Sequence, residues 1–186
     1  MYIFTGRPMI NRLRIRTKLL LLLLLAGSSL AVSIWAATSM LYDRMMQDRV
    51  AKLRSLVEMA CEQAQVLEAE VKSAKLSRED AMSRLKESAN GMWFDNHTAY
   101  VGMFNTDGIY FALPGAPKVE GTRGSKMPDG RYITEAIKAS MTQGSEGLAL
   151  YQYPKPGTTE RLPKMTYAKL FEPWNMVITA GVWIDD

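Results

Sequence analysis

The sequence predicts an α+β domain carried on a single membrane-spanning helix, and three observations indicate this class. An uncharged apolar run occupies residues 19–37, a heptad pattern follows it, and short apolar runs separated by turn residues fill the second half. The predicted order is long helix, short helix, hairpin, helix and three strands, which gives an antiparallel sheet of about five strands. We therefore expect a long helix over about 40–75 and a sheet domain over residues 77–186.

The apolar run has the length and composition of a membrane span. Its nineteen residues carry no charge, and as a helix they would cover about 28 Å, close to the ~30 Å hydrocarbon thickness of a bilayer. The segment 1–18 is basic, so we expect it in the cytoplasm and residues 38–186 outside the inner (plasma) membrane. A cleaved signal peptide is the alternative, but the run is longer than the usual apolar region of such a peptide.

The positive net charge does not indicate nucleic-acid binding. The chain has 23 basic and 19 acidic residues, and five basic residues precede the apolar run. The remainder therefore has 18 basic and 19 acidic residues, a net charge of −1, so the basicity belongs to the membrane flank. The single cysteine, Cys61, excludes an internal disulfide. It is either a small buried hydrophobe or a cross-link point between two copies.

A heptad pattern begins after the span. Apolar residues recur at alternating steps of four and three, with charged and amide residues between them. Such a seam predicts a long helix that packs on the domain's own sheet or against the same helix of a second copy, and both can hold at different heights. The seam consists of Met46, Val50, Leu53, Val57, Ala60, Ala64, Leu67, Val71 and Ala74.

Turn and capping signals divide the second half of the chain. The loop at 114–131 holds three prolines and four glycines, and a loop of this length is often a lid or a binding segment. The predicted elements are a helix from Ser77 to about Ala89, hairpin strands at Tyr100–Phe104 and Ile109–Leu113, a helix at Tyr132–Gln143, and strands at Leu148–Tyr153, Met165–Phe171 and Met176–Ile184.

The residues that enzymes use for catalysis are scarce. The chain has one histidine, His97, in a polar stretch, and no metal-ligand spacing, phosphate-binding loop or nucleophile motif occurs. We therefore predict a protein that is not an enzyme, with no metal and no cofactor.

Aromatic residues and cations are interleaved in the second half, which favours a small-molecule pocket with apolar walls and a few donors. A carboxylate ligand would require one cation together with hydroxyl or amide donors. The alternative is that the aromatics are core or cross-strand pairs and the lysines are solvated. The residues concerned are Trp93, Tyr100, Tyr110, Tyr132, Tyr151, Tyr153, Tyr167 and Trp174, with Arg84, Lys155, Lys164 and Lys169.

An ordered series of residues from about Arg84 to Asp186 resembles the single Cache sensory domain, which lies outside the membrane in bacterial methyl-accepting chemotaxis receptors and sensor kinases. The series comprises Tyr100-Val101, Asp107-Gly108, Pro114, Gly121, Asp129-Gly130, Gly144, Gly147, Tyr151, Pro154-Lys155-Pro156-Gly157, Pro163-Lys164-Met165-Thr166-Tyr167, Phe171, Trp174, Gly181 and Asp185-Asp186. The resemblance implies a PAS-like fold and a small carboxylate ligand of the acetate, propionate, pyruvate or lactate type.

The resemblance also implies a set of pocket residues. The carboxylate partners would be Arg84 and Lys164, the hydroxyl donors Tyr151 and Tyr167, and the walls Trp93 and Tyr100. Lys164 and Tyr167 have opposite parity, so both reach one pocket only if Pro163 leaves the start of the strand irregular.

Two features depart from the family pattern. The chain has Leu113-Pro114 where the family usually has a His-Pro pair, and it stops at Asp186, where a second membrane helix would begin. The chain thus resembles the sensing half of a receptor, without its output module.

Two hypotheses follow. The first is an extracytoplasmic sensor that binds a small carboxylate and passes a conformational signal across the membrane. The alternative is a membrane-tethered dimeric binding or scaffold subunit without a small ligand, paired through the long helix.

Overall fold

The computed structural model describes residues 14–141 and 144–184, and the chain divides into two compact units, Met1–Gln47 and Asp48–Asp186. Most of the predicted cytoplasmic tail, the predicted helix end at Gln143 and the terminal Asp185-Asp186 pair lie outside the described residues.

The described residues confirm the α+β class, with three α-helices and a sheet of six antiparallel strands. The elements are α1 (Ile15–Lys72), α2 (Arg78–Gly91), β1 (Trp93–Phe94), β2 (Ala99–Asn105), β3 (Tyr110–Ala112), α3 (Ile133–Ser140), β4 (Glu146–Pro154), β5 (Arg161–Phe171) and β6 (Met176–Trp183). Short 3₁₀ turns lie at Pro117–Val119 and Glu172–Trp174.

The first unit contains the apolar part of α1. Among the described residues, α1 is the one helix with the length and composition to cross a membrane, with a mean hydropathy of 2.3 over its best window and none of that window buried. Three of its hydroxyls, those of Ser28, Ser33 and Thr38, bond to carbonyls of the preceding turn at 2.9–3.0 Å. Such bonds satisfy polar groups where no water is available.

The second unit is built on a sheet whose strand order is β1-β2-β6-β5-β4, with β3 also paired to β2. The predicted hairpin is present. Asn105 Oδ1 accepts hydrogen bonds from the backbone amides of Asp107 and Ile109, as a turn-forming Asn does. The sixth strand, β1, was not predicted, because two residues are too short to show a period. It pairs with β2 through Trp93 and Tyr100.

The middle of the heptad seam packs inside the chain itself. Five seam residues are buried: Leu53, Val57, Ala60, Ala64 and Leu67. Arg54, which lies beside them, donates to Glu146 of β4 at 2.7 Å and lies over the ring of Tyr167 of β5 at 6.0 Å. At this height, therefore, the seam covers the domain's own sheet rather than a second copy.

A buried carboxylate secures the carboxyl end of α1. Glu68 is 4% exposed and accepts a hydrogen bond of 2.6 Å from Trp174 Nε1, in the turn between β5 and β6. Lys72 and Arg78 approach the same carboxylate at 3.6 and 3.8 Å. Because a buried charge is costly unless it is paired and hydrogen-bonded, these contacts hold α1 in register with the sheet.

The long loop and α3 cover the other face of the sheet. The loop is hydrogen-bonded to β3 on both sides of Tyr110, whose amide donates to Thr122 O and whose carbonyl accepts from Gly121 N. Helix α3 starts at Ile133, where the Glu135 carboxylate accepts the Tyr132 amide at 3.0 Å. Ile133 and Ile137 are buried and face the sheet.

We expect Ala60→Leu to lower the free energy of unfolding by about 1–3 kcal/mol, because a larger side chain overpacks a fully buried position. Thermal unfolding of the full chain in detergent, followed by tryptophan fluorescence, measures this change. Met59→Leu is the matched control, since Met59 is 65% exposed and surface changes stay within about 0.5 kcal/mol. An unchanged or higher midpoint for Ala60→Leu would show that the seam does not pack on the sheet.

Candidate ligand-binding site

Lys164 is the centre of the site, and the ladder of β5 decides its direction. Lys164 lies directly opposite Tyr151 of β4 and Trp183 of β6. Residues directly opposite one another in antiparallel strands share a face, so these two side chains flank the lysine on the face that α3 covers. The side chain of Lys164 is consequently buried, with 3% of its surface exposed.

Aromatic rings surround the Lys164 amine. Nζ lies 4.0 Å from the ring centre of Trp183, 4.2 Å from that of Tyr100 and 5.2 Å from that of Tyr153. It also donates a hydrogen bond of 3.1 Å to Tyr100 Oη. Within the described residues, no carboxylate lies at ion-pair distance from Nζ. The ring faces favour a cation at Nζ, but no countercharge is provided.

A small cavity adjoins the amine, with a volume of about 20 Å³, enough for about one water molecule. Its floor is the sheet, and its roof is formed by the start of the long loop and by α3. The lining residues are Tyr100, Tyr110, Leu113, Ile133, Ile137, Tyr151, Tyr153, Lys164, Thr166, Thr179 and Gly181. The lining therefore combines one amine and several hydroxyls with an aliphatic wall.

Burial determines the protonation of these groups. Desolvation lowers the pKa of Lys164 from 10.5 to about 7, because the charged form loses its hydration. The same effect raises the pKa of Tyr100, Tyr110 and Tyr151 well above the ordinary value. The tyrosines therefore remain protonated at neutral pH and can donate hydrogen bonds, while the lysine changes its charge in this pH range.

Gly181 of β6 leaves the space that the lysine side chain occupies. A Cβ atom at this position would lie 2.5 Å from Thr166 Oγ1, 2.8 Å from Lys164 Cε and 3.1 Å from the carbonyl oxygen of Met165. Thr166 in turn shares a hydrogen bond of 2.8 Å with Tyr151 Oη. A residue without a side chain is therefore needed opposite β5 for the amine to reach the cavity.

The structure brings together three of the six predicted site residues. Tyr100, Tyr151 and Lys164 all line the cavity. Trp93 lies one layer behind, with its ring at 5.4 Å from that of Tyr100 in an edge-to-face arrangement. It therefore supports the wall rather than forming it.

Two predicted residues lie elsewhere. Arg84 is on α2, with its side chain 61% exposed and 3.9 Å from the carboxylate of Glu70, so it does not reach the cavity. Tyr167 points to the α1 side of the sheet, where Arg54 lies over its ring. The reason is that β5 is a regular strand from Arg161 onward, including Pro163. Successive side chains of a regular strand point to opposite faces, so Lys164 and Tyr167, three residues apart, lie on different faces of the sheet.

Three residues of the site were not selected from the sequence. Thr166 and Thr179 line the cavity, and the ring of Trp183 contacts the Lys164 amine. Trp183 and Thr166 lie in apolar or mixed strand segments in which a buried core residue looks the same. Thr166 shares a face with Lys164 because it lies two residues further along β5. Trp183 shares that face because it lies directly opposite Lys164 on β6, a relation that can be read only from the register of the sheet. Leu113, where the family resemblance would place a histidine, contributes to the aliphatic part of the lining.

The single histidine, His97, is not among the residues that line the cavity. His97 is exposed, adopts a left-handed conformation with φ of 62°, and stacks on Trp93 at 6.0 Å. Across residues 14–141 and 144–184, the histidine, cysteine and acidic side chains do not form a cluster of three or more that could hold a metal ion.

Comparison with known proteins gives a consistent family. The family model of the Cache domain matches residues 40–186. The methyl-accepting chemotaxis protein McpP of Pseudomonas putida is 26% identical over 179 residues, which cover 95% of this chain and 33% of that protein. The chain thus spans about a third of the length of this curated relative.

Solved structures share the fold. The periplasmic sensor domain of a chemotaxis protein is 25% identical, with a TM-score of 0.70 over 76% of this chain and 99% of its own. A Cache chemosensory domain, studied for carboxylic acid recognition, is 23% identical, with a TM-score of 0.70 over 77% and 98% of the two chains. The latter likeness shows the fold alone. With a family model that matches most of its length, this chain belongs to the Cache domain family, whose sensory members in chemoreceptors are ligand-binding and non-catalytic.

Proposed function

We propose that this chain is the extracytoplasmic sensing part of a membrane chemoreceptor or sensor kinase, and that it binds a small carboxylate beside Lys164. The observation that carries the proposal is a buried amine with no acidic partner among the described residues, next to a cavity lined by hydroxyls. A carboxylate supplies the missing countercharge. A cationic ligand would meet a like charge there, and a neutral ligand would leave the charge unpaired.

The lining supports a binding mode for such a ligand. One carboxylate oxygen would accept a charge-assisted bond from Lys164 Nζ, and the hydroxyls of Tyr100 and Tyr151 would donate to the remaining lone pairs. The alkyl part would contact Leu113 and Ile137. The cavity of about 20 Å³ is too small for such a ligand as it stands, so binding would displace the roof formed by the loop and α3.

The two faces of β5 suggest how occupancy would act on the helix. Lys164 faces the cavity, whereas Tyr167, three residues later, faces α1 and lies under Arg54. Arg54 also pairs with Glu146 of β4 at 2.7 Å. A ligand that shifts β5 would therefore shift these contacts on α1. The proposed signal is a small change in the populations of two positions of α1, set by whether the ligand is bound.

Membrane topology and assembly are part of the same proposal. Residues 19–37 would cross the inner membrane once, with the basic segment inside and residues 38–186 outside. A homodimer through α1 would use the side away from the sheet, where Met59 is 65% and Val66 is 61% exposed. The buried part of the seam is already occupied by the sheet. A relative that is a methyl-accepting chemotaxis protein supports this setting.

We expect a small carboxylate to raise the unfolding temperature of the full chain in detergent. A ligand at a hundred times its dissociation constant adds about 2.7 kcal/mol, which corresponds to roughly 5–10 °C for a domain of this size. The panel would contain acetate, propionate, pyruvate and lactate, with amino acids and amines for comparison.

Lys164→Met should abolish this shift, because the methionine keeps the volume but removes the charge. Lys118→Ala is the matched control, since Lys118 is exposed on the loop, and it should keep the shift. No shift with any compound would reject the sensor proposal and favour the tethered scaffold, in which dimerisation occurs without a ligand.

The contribution of Lys164 to the stability of the domain without ligand should rise with pH between about 7 and 10.5. The unfolded chain keeps the Lys164 proton up to its ordinary pKa of 10.5, whereas burial brings the folded pKa to about 7. In this window the unfolded state binds more protons, so increasing the pH favours the folded state. Thermal midpoints measured across the range test this.

The difference between the wild type and Lys164→Met isolates the contribution of this one group. The thermal midpoint of the variant should be higher than that of the wild type near pH 7, and the difference between the two midpoints should become smaller as the pH rises. Lys118→Met should follow the wild-type curve. A constant gap between Lys164→Met and the wild type would contradict the lowered pKa of Lys164.

A further inference from the structure

Lys164 combines three properties of a nucleophilic amine. Its side chain is 97% buried, its Nζ adjoins a cavity, and no carboxylate among the described residues holds it in the charged form. Burial also brings its pKa to about 7. A lysine desolvated in an apolar pocket is activated for attack on carbonyl groups, because the neutral amine carries the reactive lone pair.

We propose that Lys164 captures carboxylates bearing an adjacent carbonyl group, the 2-oxo acids, as a reversible covalent imine. This inference rests on the proposed function, since it uses the same cavity and the same carboxylate. It separates 2-oxo acids from 2-hydroxy acids of the same size, which offer no carbonyl carbon and can bind only by ionic and hydrogen-bonding contacts.

The reaction balances without a redox partner. The Nζ lone pair forms a bond to the carbonyl carbon, the C=O π pair moves to oxygen, and a proton passes from nitrogen to that oxygen. The C–O bond of this carbinolamine then breaks as the hydroxyl takes up a second proton and leaves as water. The product is a protonated imine, so the neutral amine, the 2-oxo acid and one proton give the imine cation and one water.

The surroundings of Nζ suit each stage. Tyr100 Oη lies 3.1 Å from Nζ and stays protonated because burial raises the pKa of Tyr100, so it can donate a hydrogen bond to the departing oxygen while the second proton comes from solvent. The imine cation keeps the positive charge at the same nitrogen, 4.0 Å from the ring centre of Trp183 and 5.2 Å from that of Tyr153. These rings stabilise a cation, and the ligand's own carboxylate is its countercharge.

The test uses the full chain in detergent, with sodium pyruvate and sodium cyanoborohydride, which reduces an imine to a stable secondary amine. Intact mass and peptide mapping then measure the carboxyethyl label at each lysine. We expect saturable labelling of Lys164 that exceeds labelling of the exposed Lys118 by at least about tenfold. At pH 7 about half of the Lys164 amines are neutral, compared with roughly one in 2,500 for an ordinary lysine.

Three controls belong to this experiment. L-lactate should give no label and should compete with pyruvate. Lys164→Met should lose the label without any gain at Lys118. The labelling rate of Lys164 should rise and then level off as the pH is raised through about 7. A plot of the labelling rate of Lys118 against pH should show no such levelling near pH 7.

The outcomes separate the inference from the proposed function. If pyruvate and L-lactate both raise the unfolding temperature and Lys164 is labelled no more than Lys118, binding is purely non-covalent and the imine is rejected. If neither acid changes the unfolding temperature and Lys164 is not labelled, the carboxylate-binding function itself fails. Labelling confined to Lys164 and blocked by L-lactate supports both.

Discussion

The arrangement of this domain depends on one amine, that of Lys164, which is buried with no carboxylate at ion-pair distance among the described residues. Moving a protonated lysine out of water is costly, and three aromatic rings and one hydroxyl offset only part of that cost. The remainder appears as the lowered pKa of Lys164. A site with an unpaired buried cation is stabilised most by an anion, so the same imbalance that weakens the empty domain would drive the proposed binding of a carboxylate.

The sheet creates this imbalance through register. Lys164 is flanked by Tyr151 on one neighbouring strand and Trp183 on the other because the three residues are directly opposite. Gly181 on β6 leaves the space through which the lysine stem passes. The amine is therefore held by backbone geometry, with the aromatic side chains as its surroundings, and a ligand that moves it acts directly on the central strands of the sheet.

The period of two along β5 also separates the proposed ligand site from the contacts with α1. Lys164 and Tyr167 are close in sequence but lie on opposite faces, one toward the cavity and the other toward α1. The heptad seam on α1 serves the second face, since its middle residues are buried within the chain. A stripe that fits a coiled coil equally fits a sheet, because both partners require apolar residues on one side of a helix.

Local patterns in the sequence were sufficient for the elements of the fold. The apolar run, the seam, the cap at Ser77 and the turn at Asn105 each depend on neighbouring residues, and each predicted helix and strand of the described residues is present within a few residues. The two-residue strand β1 was missed because so short a segment has no period. The family resemblance likewise followed from an ordered series of residues along the chain.

Only the tertiary structure decided which side chains meet at the site. The sequence by itself determined that the second half is rich in tyrosines and lysines, and its family resemblance implied a set of six residues, of which Tyr100, Tyr151 and Lys164 line one cavity. It could not exclude Arg84, which pairs with Glu70 on another surface, nor select Trp183, which lies across a strand pair from the lysine. Membership of a pocket is set by register and burial across distant strands, and neither quantity is a property of adjacent residues in the chain.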